Sequence, residues 1–343
     1  HILEPVIIRR NRIDLRNDPD YKDEVEELSD MMPPVEQFYE LSPEQSAFYD
    51  QVINEIFCED GQFKGAIYRP FAYEQEPAKE LDAESNRELM LQTNLYDFMR
   101  RLLVRRFESS FGAFAQSLEN FLSVHRKALI FIEKSNKFIL DRKLLERIYS
   151  ADEETIAEAL GDYESMLEKQ VMPKNNKIYQ VNKFARKDQF LADIHSDIAL
   201  FATLIERVKE LSLATHDPKA ACLARTLLTV VNGVHADLPP RAGEPVRKVI
   251  VFSEYIDTIR HLSDYLADKL PGRFIAVQGN VSARQAEDIE KNFDAAYKGR
   301  QENNFQVLLT TDKMSEGHNL NRAGLVINYD IPWNPTRVIQ RVG

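Results

Sequence analysis

This chain contains few cysteines, few glycines and prolines, and no long apolar run. Two cysteines, Cys58 and Cys222, occur in 343 residues, which is too few for a disulfide framework. The 12 glycines and 15 prolines are too few for a fibrous or disordered chain. No apolar run approaches the roughly 20 residues that a membrane-spanning helix needs. We therefore expect a folded, non-membrane protein of two or three domains.

The two ends of the sequence predict a piece of a longer protein. The chain begins at His1, with no secretory leader pattern, and stops at Gly343 inside a predicted helix. We expect a cytoplasmic location for the protein to which it belongs.

Charge is spread unevenly along the chain. The net charge is −11, but residues 246–343 carry 13 Lys and Arg against 12 Asp and Glu. The acidity therefore belongs to residues 1–245. It does not argue against a nucleic-acid surface on the last third of the chain.

The pattern of apolar residues divides the chain into three regions. Residues 1–80 mix extended stretches with turns, contain a helix start with a capping box at Ser42, and end in an irregular loop over 60–80. Residues 81–240 show 3.6-residue periodicity and are predicted to be helical throughout. Residues 241–343 alternate strands with helices.

The last region predicts a doubly wound α/β sheet. Its strands are four short β-branched runs, typical of parallel strands buried on both faces, at 248–253, 274–277, 305–310 and 324–329. Helical patterns follow the first two of these runs, as a parallel sheet requires. Ligands bind such sheets beyond the carboxyl ends of the strands.

Polar side chains follow all four predicted strands. Gly279 and Gly317 would let the backbone approach a phosphate closely, and Thr310 and Thr311 offer hydroxyls for the same task. Three further polar residues of the loop after the third strand would bind ribose hydroxyls or a charge on a facing domain: Asp312, Glu316 and Asn319.

Five sequence blocks carry a family resemblance. They are IVFSEY, VQGNVSARQ, LLTTDKMSEGHNL, NYDIPWNP and QRVG, in that order. Together they resemble the second RecA-like lobe of a superfamily-two helicase, of the P-loop NTPase type. More narrowly, they resemble the bacterial members of the Swi/Snf family of ATP-driven DNA translocases.

The same resemblance implies a domain organisation. Residues 1–80 are similar to the crossover between lobes and the start of the second lobe. Residues 81–240 resemble an all-helical insertion in bacterial Swi/Snf-like proteins, and 241–343 form the C-terminal lobe, cut within motif six.

The resemblance also implies roles for single residues in a DNA-dependent ATPase that moves on duplex DNA. Arg341 and Glu316 would be catalytic, and nucleotide would be bound by Asp312, Gly317 and Asn319. The residues expected to contact nucleic acid are Ser253, Gly279, Asn280, Thr310, Thr311, Trp333 and Asn334. Two alternatives stay open: Trp333 is as compatible with packing, and Arg341 either reaches the cleft or caps the final helix.

Motifs that a complete ATPase needs are missing from the sequence. None of the glycines precedes a lysine, as a Walker A loop requires, and no strand ends in Asp-Glu. The resemblance therefore implies that ATP and Mg²⁺ are bound mainly by a first lobe preceding His1, and that this chain alone hydrolyses no ATP. No other histidine, cysteine or carboxylate lies near His318 at a spacing typical of metal ligands. The sequence therefore predicts no metal site.

Two interpretations of the middle region stay open. The basic run Arg100, Arg101, Arg105 and Arg106 is either a solvated helix face or a contact to the duplex backbone. The rival function is a non-catalytic helicase-like module, whose helical region docks a protein partner such as RNA polymerase. A nucleotide-sugar transferase is disfavoured by the Trp-Asn-Pro and QRVG blocks.

Overall fold

A computed structural model describes Pro19 and residues 32–75, 81–140, 177–239, 247–279, 281–315, 318–332 and 334–342. The chain divides into two compact units, His1–Phe38 and Tyr39–Gly343. In the first unit, Pro19 lies in a turn, and residues 32–38 are exposed and have no regular secondary structure. The other residues of this unit, 1–18 and 20–31, lie outside the described residues.

The first helix of the second unit begins as its sequence predicts. Helix α1 (Pro43–Gln51) is preceded by Ser42, whose Oγ accepts from the Gln45 N–H at 3.2 Å. In return the Gln45 Oε1 accepts from the Ser42 N–H at 3.0 Å. This reciprocal pair satisfies two helix N-terminal donors, and a single π-helical turn, Val52–Ile56, follows the helix.

The prediction of an irregular loop over residues 60–80 is wrong over residues 66–74. A 3₁₀ helix (Ala66–Tyr68) and the short helix α2 (Phe71–Glu74) occur there, and their aromatic side chains are buried. The turn before them is held by Asp197, whose carboxylate accepts from the Lys64 N–H at 2.7 Å and the Gly65 N–H at 2.8 Å. This turn is therefore stabilised by a carboxylate that is distant in sequence.

Four further α-helices lie in the described part of the middle region. They are α3 (Ala83–Ser109), α4 (Phe111–Ser135), α5 (Lys187–Glu210) and α6 (Pro218–Val231). The predicted apolar stripes of α3, α4 and α5 are mostly buried in one core, because each repeats at helical spacing. α6 instead packs on the sheet described below.

The middle region is not all-helical. Strands β1 (Lys137–Leu140) and β2 (Lys177–Gln180) pair antiparallel, with Phe138 opposite Tyr179. Both of these rings are buried. Each strand is only four residues long. Such short runs carry too little period-two alternation to be distinguished from helix, and residues 141–176 lie outside the described part.

The last region contains the predicted parallel sheet. Its strands and helices are β3 (Val249–Phe252), α7 (Ile256–Leu266), β4 (Phe274–Ala276), α8 (Ala283–Phe293), β5 (Val307–Thr310), β6 (Leu325–Asn328) and α9 (Pro335–Val342). All strand pairs are parallel, in the order β4-β5-β3-β6. β3 and β5 are completely buried, which explains their continuous apolar sequences.

Apolar side chains cover both faces of this sheet. One face packs against α6 and α7, and the other packs against α8. Crossover helices on both faces are the arrangement of α/β folds with parallel sheets. Within the described ranges, the helices include none with the length and apolarity that crossing a bilayer demands.

Candidate functional site at the strand-end edge

The Asp330 carboxylate is the centre of a hydrogen-bond network where β6 ends. One oxygen, Oδ2, accepts from the Ser253 hydroxyl at 2.6 Å, and the other accepts from the Glu254 N–H at 2.7 Å. The Ser109 hydroxyl also donates to Oδ2 at 2.6 Å. Bonds to an ionised acceptor are stronger than neutral ones, so Asp330 ties the turn after β3 to the last residue of α3.

Arg341 on α9 is buried and fully engaged with the same edge. Its Nη2 donates to Asp312 Oδ2 at 3.1 Å, and its Nε donates to the other oxygen of that carboxylate. Its Nη1 lies 2.9 Å from Asn328 Oδ1 and 3.0 Å from the Asp330 carbonyl oxygen. Bidentate pairing of this kind fixes orientation as well as charge. Arg341 therefore locks α9 onto the ends of β5 and β6.

In this conformation the Arg341 guanidinium is bound within the strand-end edge, and its catalytic role stays a prediction. Only 4% of the residue is exposed, so it does not present a free guanidinium to a cleft. It does not cap its own helix either, because its partners lie on the loop after β5 and at the end of β6.

A second, more exposed arginine completes the edge. Arg337 Nη1 lies 3.5 Å from Asp312 Oδ2 and 4.0 Å from Glu254 Oε1. Burial and the nearby Asp330 charge raise the pKa of Glu254 above its ordinary value. Arg337 thus lies between two carboxylates with its side chain 40% exposed.

Three of the predicted nucleic-acid contacts are buried hydroxyls. Ser253 and Thr310 have no exposed surface, and Thr311 is 8% exposed. The Ser253 hydroxyl is used by Asp330, and the Ser253 N–H donates to the Thr310 carbonyl at 3.1 Å. In this conformation Ser253 and Thr310 lie inside the edge, and their contact to nucleic acid stays a prediction.

Other predicted residues lie at the surface of this edge. Gly279 follows β4 with a φ of 103°, a conformation that side chains other than glycine rarely adopt. Asn319 is exposed. Asn334 is also exposed, but its Oδ1 accepts from the Thr336 N–H at 3.0 Å and so caps α9. Four more predicted residues lie outside the described part: Asn280, Glu316, Gly317 and Trp333.

The described carboxylates of this edge do not fit a magnesium site. Asp312 is bound by Arg341, and Asp330 accepts three hydrogen bonds. No group of three or more His, Cys, Asp or Glu side chains is placed to hold a metal among the residues that the structure describes.

Sequence reasoning placed Asp330 after the fourth strand but did not give it a role. The available signal was an acidic residue directly after the predicted strand 324–329, at the edge where ligands bind. Ser109 gave no comparable signal, because it precedes its partner Asp330 by 221 residues.

Comparisons with known proteins concern this same region. Residues 234–343 match the family described as helicase conserved C-terminal domain. The chain is 35% identical over 96 residues to the ATP-dependent helicase YqhH of Bacillus subtilis, covering 28% of this chain and 16% of that protein. It is 34% identical over 87 residues to the ATP-dependent RNA helicase eIF4A of Mycosarcoma maydis, covering 24% of this chain and 20% of that protein.

The chain thus spans a fifth or less of the length of these curated relatives. No solved structure matches it. The matched residues begin before β3 and contain the whole parallel sheet, Asp330 with its partners Ser253 and Glu254, and Arg341, whereas the third partner, Ser109, lies outside them. Residues 234–343 therefore contain a helicase C-terminal domain.

Proposed function

We propose that this chain is part of an ATP-dependent translocase of the Swi/Snf type that moves on duplex DNA. The observation that carries the proposal is the strand-end edge itself. A parallel sheet with a helicase C-terminal match places Gly279, Asn319 and the Asp312–Arg341 pair beyond the carboxyl ends of its strands. This is where α/β sheets bind ligands.

In the proposed mechanism, residues of this chain hold the loops and helices of the strand-end edge in position. The buried Arg341 holds the loop after β5 against α9, so the two elements move together when the edge is displaced. Asp330 carries the same displacement to the turn after β3 and to α3. Binding and release of ATP, held mainly by another lobe together with Mg²⁺, would supply the opening and closing that such gating needs.

The proposed nucleic-acid contacts are to the backbone rather than to base edges. Backbone amides and short polar side chains, such as those at Gly279 and Asn319, grip phosphate or sugar without reading sequence. A motor that moves along DNA requires this kind of contact, because it must bind every sequence it passes.

RNA is the second candidate substrate. Two of the similar proteins are named RNA helicases, at 34% and 36% identity over 87 and 84 residues. The Trp-Asn-Pro block of the sequence supports DNA instead, through the Swi/Snf resemblance. We favour duplex DNA for that reason.

The test is ATP hydrolysis by the full-length protein with duplex DNA, single-stranded DNA or duplex RNA at equal phosphate concentration. We expect duplex DNA to stimulate hydrolysis most. Stronger stimulation by RNA would transfer the proposal to an RNA helicase. Hydrolysis that is absent under all conditions would favour the rival function, a docking module for a protein such as RNA polymerase.

A further inference from the structure

The C-terminal end of α3 is fastened to the sheet lobe by two polar contacts. Arg106 Nη1 donates to Asp257 Oδ2 at 2.7 Å, and its guanidinium lies 4.5 Å from the centre of the Tyr255 ring. Three residues further on, Ser109 donates to Asp330. Both anchors are buried on the α3 side, so the last turn of this helix has a fixed place beside the strand-end edge.

These anchors place a basic face of α3 next to that edge. Arg105 neighbours the anchored Arg106, and its charge acts on Glu254. Arg101 lies one turn earlier on the same face of the helix, because residues four apart are neighbours. Arg101 is exposed and Arg105 is partly exposed.

Arginines from two other helices continue this surface. Arg260 of α7 lies 2.8 Å from Asp257, with its side chain 52% exposed. Arg337 of α9 lies 4.0 Å from Glu254, with its side chain 40% exposed. We call Arg101, Arg105, Arg260 and Arg337 the basic rim.

Arginines outnumber carboxylates at the basic rim. The rim contacts the carboxylates of Glu254, Asp257 and Asp312, of which Asp257 also pairs with Arg106 and Asp312 with Arg341. Three helices thus bring six arginines to three carboxylates. Guanidinium groups suit phosphate oxygens in geometry as well as in charge.

We propose that the middle region takes part directly in nucleic-acid binding, with the basic rim holding backbone phosphates of duplex DNA beside the strand-end edge. The proposal rests on the proposed function and extends it to α3. It assigns Arg101 and Arg105 to binding and Arg106 and Ser109 to positioning. The solvated-face interpretation of the basic run is thereby replaced for two of its four residues.

The test is the salt dependence of duplex DNA binding by the full-length protein. Each phosphate contact contributes about 0.9 to the slope of log Kobs against log salt for B-DNA. We therefore expect the double variant Arg101→Gln/Arg105→Gln to lower the slope by about 1.8. The charge-conserving variant Arg101→Lys/Arg105→Lys should keep most of the slope.

A matched control is available on the same helix. Arg87 is also exposed on α3, and it lies 14 residues before Arg101, about 21 Å along the axis. Arg87→Gln should leave the slope unchanged. A thermal melt of each variant confirms that it is folded.

The binding experiment distinguishes failure of the basic rim proposal from failure of the proposed function. If the wild-type protein binds duplex DNA and the glutamine variant keeps the wild-type slope, the basic rim proposal is overturned and the proposed function stands. A slope that falls equally in Arg87→Gln would also overturn it, because the effect would not depend on the rim. If the wild-type protein binds no duplex DNA, both proposals fail.

Discussion

The Ser109 hydroxyl donates to the Asp330 carboxylate at 2.6 Å and thereby joins the longest described helix to the end of β6. The Thr258 hydroxyl lies 2.8 Å from the same Ser109 oxygen. Close by, Lys219 donates to the carbonyl oxygens of Glu108 and Ser109 at 2.9 and 3.0 Å. The contact between the middle region and the sheet lobe is thus a polar joint of directional bonds, centred on Ser109.

The first prediction concerns this joint. Ser109→Ala should lower the free energy of unfolding by about 1.5–3 kcal/mol, the range for hydrogen bonds to charged groups. In a double-mutant cycle with Asp330→Ala, the two changes should be non-additive, because each of them removes the Ser109–Asp330 bond. Urea denaturation measures both quantities. Ser46→Ala, at an exposed position of α1, is the control and should change stability by less than about 0.5 kcal/mol. Additive effects would show that the bond contributes nothing.

The second prediction concerns the buried pair between Arg341 and Asp312. Arg341→Gln leaves the Asp312 carboxylate without its bidentate partner, which should cost about 3 kcal/mol of unfolding free energy. Arg337→Gln removes a half-exposed contact to the same carboxylate and should cost less than about 1 kcal/mol. Chemical denaturation of the two variants compares them directly. Equal effects would contradict the structural role given to Arg341.

The third prediction is a pH dependence caused by His125. Burial lowers the pKa of this imidazole to about 4, and its Nδ1 bonds the Phe121 carbonyl oxygen at 2.7 Å. The unfolded chain, with an ordinary histidine pKa near 6.5, binds more protons between pH 6.5 and 4. The histidine therefore lowers stability as the pH falls through this window.

Replacing His125 by phenylalanine should remove this loss of stability at low pH. The surroundings include the rings of Phe63, Tyr68 and Phe201, so His125→Phe keeps the aromatic packing. Its unfolding free energy relative to wild type should rise by about 2–3 kcal/mol between pH 7 and pH 4. His195→Phe, at an exposed histidine of α5, should show no such trend. A pH-independent difference for His125→Phe would refute the assignment.

The fourth prediction concerns the packing of α4 against α7. A Cβ added at Gly112 would lie 2.3 Å from Nδ1 and 3.0 Å from Cβ of His261. Gly112→Ala should therefore destabilise the protein by about 1–3 kcal/mol through overpacking. His261→Ala makes room for the added methyl group, so the double variant should be more stable than the two single effects predict. Thermal unfolding measures this; strictly additive shifts would contradict close packing here.

Local features of the fold were predicted from the sequence, whereas several contacts between residues distant in sequence were missed. The capping box at Ser42 and the four parallel strands were predicted, because each depends on a few neighbouring residues. The buried turn at Lys64 and Gly65 was missed, because its partner is the distant Asp197. The β1–β2 pair was missed because each strand offers only four residues.

The candidate site shows the same limit. Its position at the strand ends was predictable, since parallel strands place their carboxyl ends at one edge. The burial of Ser253 and Thr310 was not predictable, because it depends on how the Asp330 carboxylate and neighbouring strands enclose them. Hydroxyls expected to face a ligand instead support the edge from within.

The most direct test of the central claim is displacement of a triplex-forming third strand from duplex DNA by the full-length protein with ATP. A translocase that tracks along duplex removes the third strand while the duplex stays paired. The account predicts this result, with a slower rate for the Ser109→Ala variant because α3 and the strand-end edge are uncoupled. A third strand that remains bound while the protein hydrolyses ATP on duplex DNA would contradict it.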